Sequence, residues 1–237
     1  MHAIGISSAA YLIFLMALMP ALAFKSARAF NAPPDAAGRR PVPPRSTMYL
    51  NSLAMLVVLL AVAWFVARTF AYDLFAVPAL GARAWLAGAC ALGFQCAMQY
   101  VSNVIRTPEE RRTMPVLRMM PRSASERALY SVVAVAAGVA EEAAYRGVLT
   151  SILWHALGVG WLAAVVSAVA FAASHAVQGW KSMAVIFVMA CSMQLLVSYT
   201  GTLVIAMAVH AMYDLLAPTL RRRILREPPI AQERIAG

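Results

Sequence analysis

Seven apolar runs, separated by connections that hold most of the charge, decide what this chain can become. They fall at residues 7–24, 48–67, 80–101, 126–154, 160–177, 181–199 and 202–217. Most approach the ~20 residues that carry a helix across a hydrocarbon core of ~30 Å at ~1.5 Å per residue. Backbone amides in lipid must be satisfied within their own segment, so each run has to be helical. The expectation is an all-α, polytopic transmembrane helix bundle of about seven spans. Of the 237 residues, 62% are hydrophobic and 13% charged, too little charge to cover a soluble domain of that length.

Charge then orients the bundle. The net charge of +10 sits in the connections and the C-terminal tail, where it reads as a topology signal and not as a nucleic-acid footprint. Connections one, three and five and the tail hold nearly all the Lys and Arg outside the spans. The positive-inside rule gives an external N-terminus, a cytoplasmic C-terminus and an inner (plasma) membrane setting. The first connection, with Lys25, Arg28, Arg39, Arg40 and Arg45 among five prolines, has little reason to pack. The third, residues 102–125, mixes arginines with Met114, Leu117, Met119 and Met120 and suits an interfacial helix. Ala21-Leu22-Ala23 resembles a signal-peptide cleavage site. With no Lys or Arg ahead of the apolar run, and with Lys25 and Arg28 after it, a retained first span is expected. Cys90, Cys96 and Cys191 lie inside apolar runs, so no disulfide framework is indicated.

Ionisable residues inside the later runs carry the chemistry. The fourth run contains Glu141, Glu142 and Arg146. Each costs about 2.5–3.5 kcal/mol at the bilayer centre if lipid-exposed, so they must face protein or water. Glu142 and Arg146, four apart, can pair on one helical face, which leaves Glu141 about 100° away and free. The fifth run ends at Phe171-Ala172-Ala173-Ser174-His175, and the seventh holds His210-Ala211-Met212-Tyr213-Asp214. There Asp214 can orient the imidazole four residues back. Counted from the short outer connections, Glu141, His175 and Asp214 lie roughly 18–23 Å down and His210 about 12 Å, so one shared site is possible. Gln95, Gln99 and Asn103, four apart on the third run, read as interhelical hydrogen-bonding groups. His155 sits at a span end and reads as structural.

Glu141-Glu142-x-x-x-Arg146, Phe171-x-x-x-His175 and His210-x-x-x-Asp214 together resemble the three motifs of the CPBP (CAAX protease and bacteriocin-processing, or Abi) family. Asp214 stands where the prenyl-protein endopeptidase branch typically has Asn. The resemblance divides the chain into three N-terminal spans (1–125), a peptidase core of four spans (126–217) and a basic tail (218–237). It implies an intramembrane endopeptidase acting on a membrane-associated or lipidated protein or peptide. Glu141 would be the general base for a water also held by His175. His210, helped by Asp214, would stabilise the oxyanion, and Glu142 with Arg146 would be a structural pair. No cofactor is implied, although two His and a Glu could hold a divalent metal. The expected partners are the peptide substrate and membrane lipids. A non-catalytic immunity or scaffold protein of the same family, and a small transporter or proton relay, are the alternatives.

Overall fold

The computed structural model describes residues 5–30 and 43–225, all of whose regular structure is helical. The prolines at 33, 34 and 41, Arg39 and Arg40 of the first connection, and the tail beyond residue 225, lie outside the described residues. Eight helices follow in order: α1 (residues 6–30), α2 (Arg45–Thr69), α3 (Ala82–Val104), the short α4 (Pro108–Thr113), α5 (Ala124–Leu157), α6 (Gly160–Ala173), α7 (Trp180–Thr200) and α8 (Leu203–Leu225). Apart from α4, these helices correspond to the apolar runs. Five of them, α1, α2, α5, α7 and α8, are both long and apolar enough to cross a membrane. The chain is a helical membrane bundle. Seven full spans were expected, and two helices depart from that picture. α6 is only 14 residues long. α3 has the length but not the apolarity, because Gln95, Gln99, Ser102 and Asn103 are turned into the bundle.

The third connection also differs from expectation. In place of one interfacial helix it forms α4, a 3-10 turn at Pro115–Met119 and an extended entry to α5. Pro115 explains the break, since proline ends a helix at the residue before it. Reciprocal capping boxes fix both flanks: Thr107 with Glu110 starts α4, and Ser123 with Glu126 starts α5.

α5 is the axis of the fold. It packs against α2 on one side, α8 on another and α6 through its second half, while α3 and α7 close the ring against α8 and α6. α5 and α8 meet backbone to backbone at Gly138. A Cβ there would lie 2.7 Å from the Ala211 nitrogen and 2.8 Å from the Met207 oxygen. α1 belongs to the same bundle. Tyr11 and Leu15 are buried in the core, and Met19–Phe30 packs on the 3-10 turn Ala176–Gln178 that follows α6.

α5 is not α-helical throughout. Between Glu142 and Leu149 it widens into a π-helix, a form associated with functional sites because it loosens the regular carbonyl ladder. Side chains take up the loosened carbonyls. Tyr11 Oη donates to the Ala144 oxygen at 3.1 Å, and Ser167 Oγ and Thr150 Oγ1 each donate to the Tyr145 oxygen at 2.8 Å. Two neighbouring helices, α1 and α6, together with the next turn of α5 itself therefore hold the π segment that begins at Glu142.

Candidate active site

Glu141 is the last α-helical residue of α5 and Glu142 the first of the π segment. The Glu142 side chain is fully buried, with Arg146 Nη1 3.2 Å from its Oε1. The guanidinium lies near the carboxylate without hydrogen-bond alignment and stacks over the Phe171 ring at 4.2 Å. That contact adds a cation–π attraction that strengthens as water is excluded.

α6 stops at Ala173, and His175 follows in the turn. Its Nδ1 is 2.9 Å from the Phe171 oxygen. A carbonyl can only accept, so Nδ1 carries a proton, and Nε2 is the nitrogen left to face the cavity. Ring stacking on Phe171, with centroids 4.6 Å apart, fixes the imidazole plane.

His210 arrives from α8. Its Nδ1 is 2.8 Å from Glu142 Oε1, while its Nε2 is 3.8 Å from Glu141 Oε2 and 3.7 Å from Asp214 Oδ2. The hydrogen bond that orients the imidazole therefore comes from Glu142 and not from Asp214, against the expectation from the four-residue spacing. Crossing geometry decides this. The close approach at Gly138 brings the His210 level of α8 against Glu142, whereas Asp214, one turn along its own helix, reaches only to 3.7 Å. Glu142 thus serves both Arg146 and His210, a role that the sequence did not suggest.

Asp214 is held through its backbone. Pro218, inside α8, has no N–H to offer the carbonyl four residues back. Tyr130 Oη from α5 donates to that Asp214 oxygen instead, at 3.1 Å.

Glu141, Glu142, Arg146, His175, His210 and Asp214 line one cavity of about 230 Å³. That is space for several waters at ~30 Å³ each. The structure thus brings together all six residues singled out in the sequence. Its remaining wall is largely apolar, including Val116, Met119 and Met120 of the third connection. Elsewhere, Gln95 reaches the Met189 oxygen and Ser192 of α7, and Gln99 accepts from Tyr213 and Arg221 of α8, so both link helices as expected. Asn103 instead bonds to the Gln99 oxygen of its own helix. His155 is exposed and bonds to the Ser151 oxygen of its own helix. The cysteines are free. Among the described residues no group of three or more His, Cys, Asp or Glu is arranged to hold a metal ion.

Fold and site together define a polytopic helical membrane protein with a carboxylate–imidazole cluster enclosed at the heart of the bundle. Residues 124–216 match the family described as type II CAAX prenyl endopeptidase Rce1-like. The matched stretch contains all three motifs and every group named above at the cluster. Comparison with curated proteins and with solved structures finds no match.

Proposed function

We propose that the chain hydrolyses a peptide bond of a membrane-associated or lipidated protein with water activated by Glu141, in a core formed by residues 126–217. The observation that carries this reading is the convergence of Glu141 from α5, His175 from the turn after α6, and His210 and Asp214 from α8 on one cavity. Glu141 is partly exposed to that cavity and, among the described residues, is approached there by His210 Nε2 only to 3.8 Å, while Glu142 is committed to Arg146 and His210.

Each group has a step. Glu141 takes a proton from water as general base while His175 Nε2 accepts the second water hydrogen and aims the oxygen. Attack on the carbonyl carbon forms a tetrahedral intermediate. His210, in its doubly protonated form, donates Nδ1–H to Glu142 and Nε2–H to the new oxyanion, a contribution of about 3–4 kcal/mol for a preorganised donor. Collapse breaks the C–N bond, and Glu141 returns its proton to the leaving amine. The Asp214 carboxylate flanks His210 Nε2 and favours its charge. The bundle sits in the plasma membrane with its N-terminus outside and its C-terminus in the cytoplasm, following the loop charges.

Purified protein in detergent, offered a fluorogenic peptide library, tests the reading. Glu141→Gln, His175→Ala and His210→Ala should each abolish turnover while leaving yield largely intact. Combining them should add little, because groups that act as a unit are non-additive. A Glu141→Gln protein that cleaves at near wild-type rate would overturn the mechanism.

A further inference from the structure

The cavity that holds the cluster is too small to take a peptide as it stands. At about 230 Å³ it lies below the roughly 300–1,000 Å³ of pockets that hold a drug-sized ligand. A peptide gripped on both sides of a scissile bond is no smaller than such a ligand, so some part of the wall must move. Most of that wall is helix, and the helices are tied to one another. α5 meets α8 in backbone contact at Gly138, Gln95 of α3 bonds to α7, and Gln99 of α3 bonds to α8.

Val116, Met119 and Met120 are wall residues of another kind. They belong to the stretch between α4 and α5, a 3-10 turn entered at Pro115 and followed by Pro121. This strap lies against the Ala176–Gln178 turn that follows His175. Polar contacts hold it at both ends. Lys181 Nζ is 2.8 Å from each carboxylate oxygen of Glu110 on α4, and it donates to the Ile105 oxygen at 3.1 Å. At the other end the buried Tyr49 of α2 donates to the Met119 oxygen. The Tyr49 ring packs edge-on against Tyr130 with centroids 5.8 Å apart, and Tyr130 Oη holds the Asp214 carbonyl. The strap is thus joined to the turn of His175 on one side and to Asp214 on the other.

The hold at α4 is the weaker one. The Lys181 and Glu110 side chains are 24% and 43% exposed, and an ion pair so open to water contributes little. Glu110 also closes the capping box of α4, so that helix keeps its cap when the pair breaks.

We infer that residues 108–120 form a lid on the cavity, latched by Glu110 and Lys181, which opens to admit a peptide to Glu141. The inference rests on the proposed peptidase reading, since a peptide is what the opening admits.

Cysteine labelling reads the motion without turnover. Val185 of α7 is buried, lines the cavity and is close to cysteine in size. In full-length protein with Cys90, Cys96 and Cys191 replaced by alanine, Val185→Cys is reacted in phosphatidylcholine nanodiscs with a charged methanethiosulfonate that does not enter lipid. Lys181→Met, which leaves the cap of α4 in place, should speed labelling about two- to fivefold, the scale of an exposed ion pair. If Lys181→Met does not fold, Tyr49→Phe, which frees the Met119 oxygen, must speed it instead. Labelling that stays unchanged, or that never occurs, would overturn the inference. A bifunctional methanethiosulfonate then links Glu110→Cys to Lys181→Cys in the same background. The link should abolish peptide cleavage, and dithiothreitol should restore it. Equal cleavage with and without the link would overturn the inference too, because the peptide would then enter between helices. A protein that cleaves nothing even when unlinked counts against the peptidase reading alone, and the labelling rates still decide whether the lid opens.

Discussion

Replacing Gly138 with alanine separates the fold's stability from the geometry of its site. The added Cβ would lie 2.7 Å from the Ala211 nitrogen, 2.8 Å from the Met207 oxygen and 2.9 Å from the Ala211 Cβ. Two of these three atoms are backbone of α8, so no flexible side-chain end can move aside. Restoring ordinary contact at ~3.5–4 Å requires α5 and α8 to part by about 1 Å. Overpacking of this kind costs about 1–3 kcal/mol, while alanine returns about 1 kcal/mol of helix propensity over glycine. The net loss of stability is therefore about 0–2 kcal/mol. Catalysis has no such compensation, because Glu142 and His210 sit on the two helices being parted and their bond is only 2.8 Å long. A misplacement of about 1 Å costs on the order of 100-fold in rate. Thermal melts in detergent beside kcat/KM on a cleaved peptide give both numbers. Gly93→Ala on α3 is the control, since nothing lies within 4 Å of its added Cβ. It should be neutral or slightly stabilising and fully active. Gly138→Ala with wild-type kcat/KM would refute the claim that the crossing sets the site.

Arg146→Ala leaves the fully buried Glu142 without its cation, which should cost about 3–5 kcal/mol and appear as lost folded yield. Glu142→Gln should lower kcat more than Asp214→Asn, because the imidazole bonds to Glu142 at 2.8 Å but stands 3.7 Å from Asp214; equal losses would contradict the assigned orientation. Thr150→Val and Ser167→Ala each remove one side-chain donor from the Tyr145 oxygen, which keeps the Thr150 backbone N–H in both, so melts should show about 1 kcal/mol singly and about the sum in the double variant, since the buried acceptor is never orphaned. Outside the membrane, Lys181 and the Thr107 amide hold the Glu110 carboxyl below its ordinary range. The Glu110–Lys181 tether is therefore in force above the unfolded glutamate value of about 4.3, and it is lost as pH falls through the lower folded value. Lys181→Met should remove that acid-side dependence from melts recorded against pH.

The sequence made the bundle legible because lipid leaves a chain few choices: apolar length and loop charge nearly dictate helices. It also marked the site residues, since ionisable groups in such runs stand out by their cost. What it hid was partner choice. Spacing along α8 favoured Asp214 for His210, and only the inter-helix crossing at Gly138 assigns Glu142. The π segment was hidden as well, because its support comes from Tyr11, Thr150 and Ser167, the first of them 133 positions from the carbonyl it bonds. Pro218 did carry a readable signal. A proline four residues after Asp214 orphans that carbonyl, and a donor such as Tyr130 had to be sought for it.

The π segment ties these observations into one physical argument. A widened helix is less stable than a regular one, and it persists here because α1 and α6 supply donors to it. Of these, α6 also leads directly into His175, and α1 packs on the turn that follows it. His210 is bonded to the first residue of the π segment, and Arg146 within it stacks on Phe171, whose carbonyl orients His175. Moving any of these helices therefore shifts the donors of the π segment and the imidazoles together. Stability is spread over the whole bundle, whereas the cluster depends on distances of 2.8–3.2 Å at Glu142. Perturbations at the packing of α1, α6 or α8 should thus weaken the site well before the bundle unfolds.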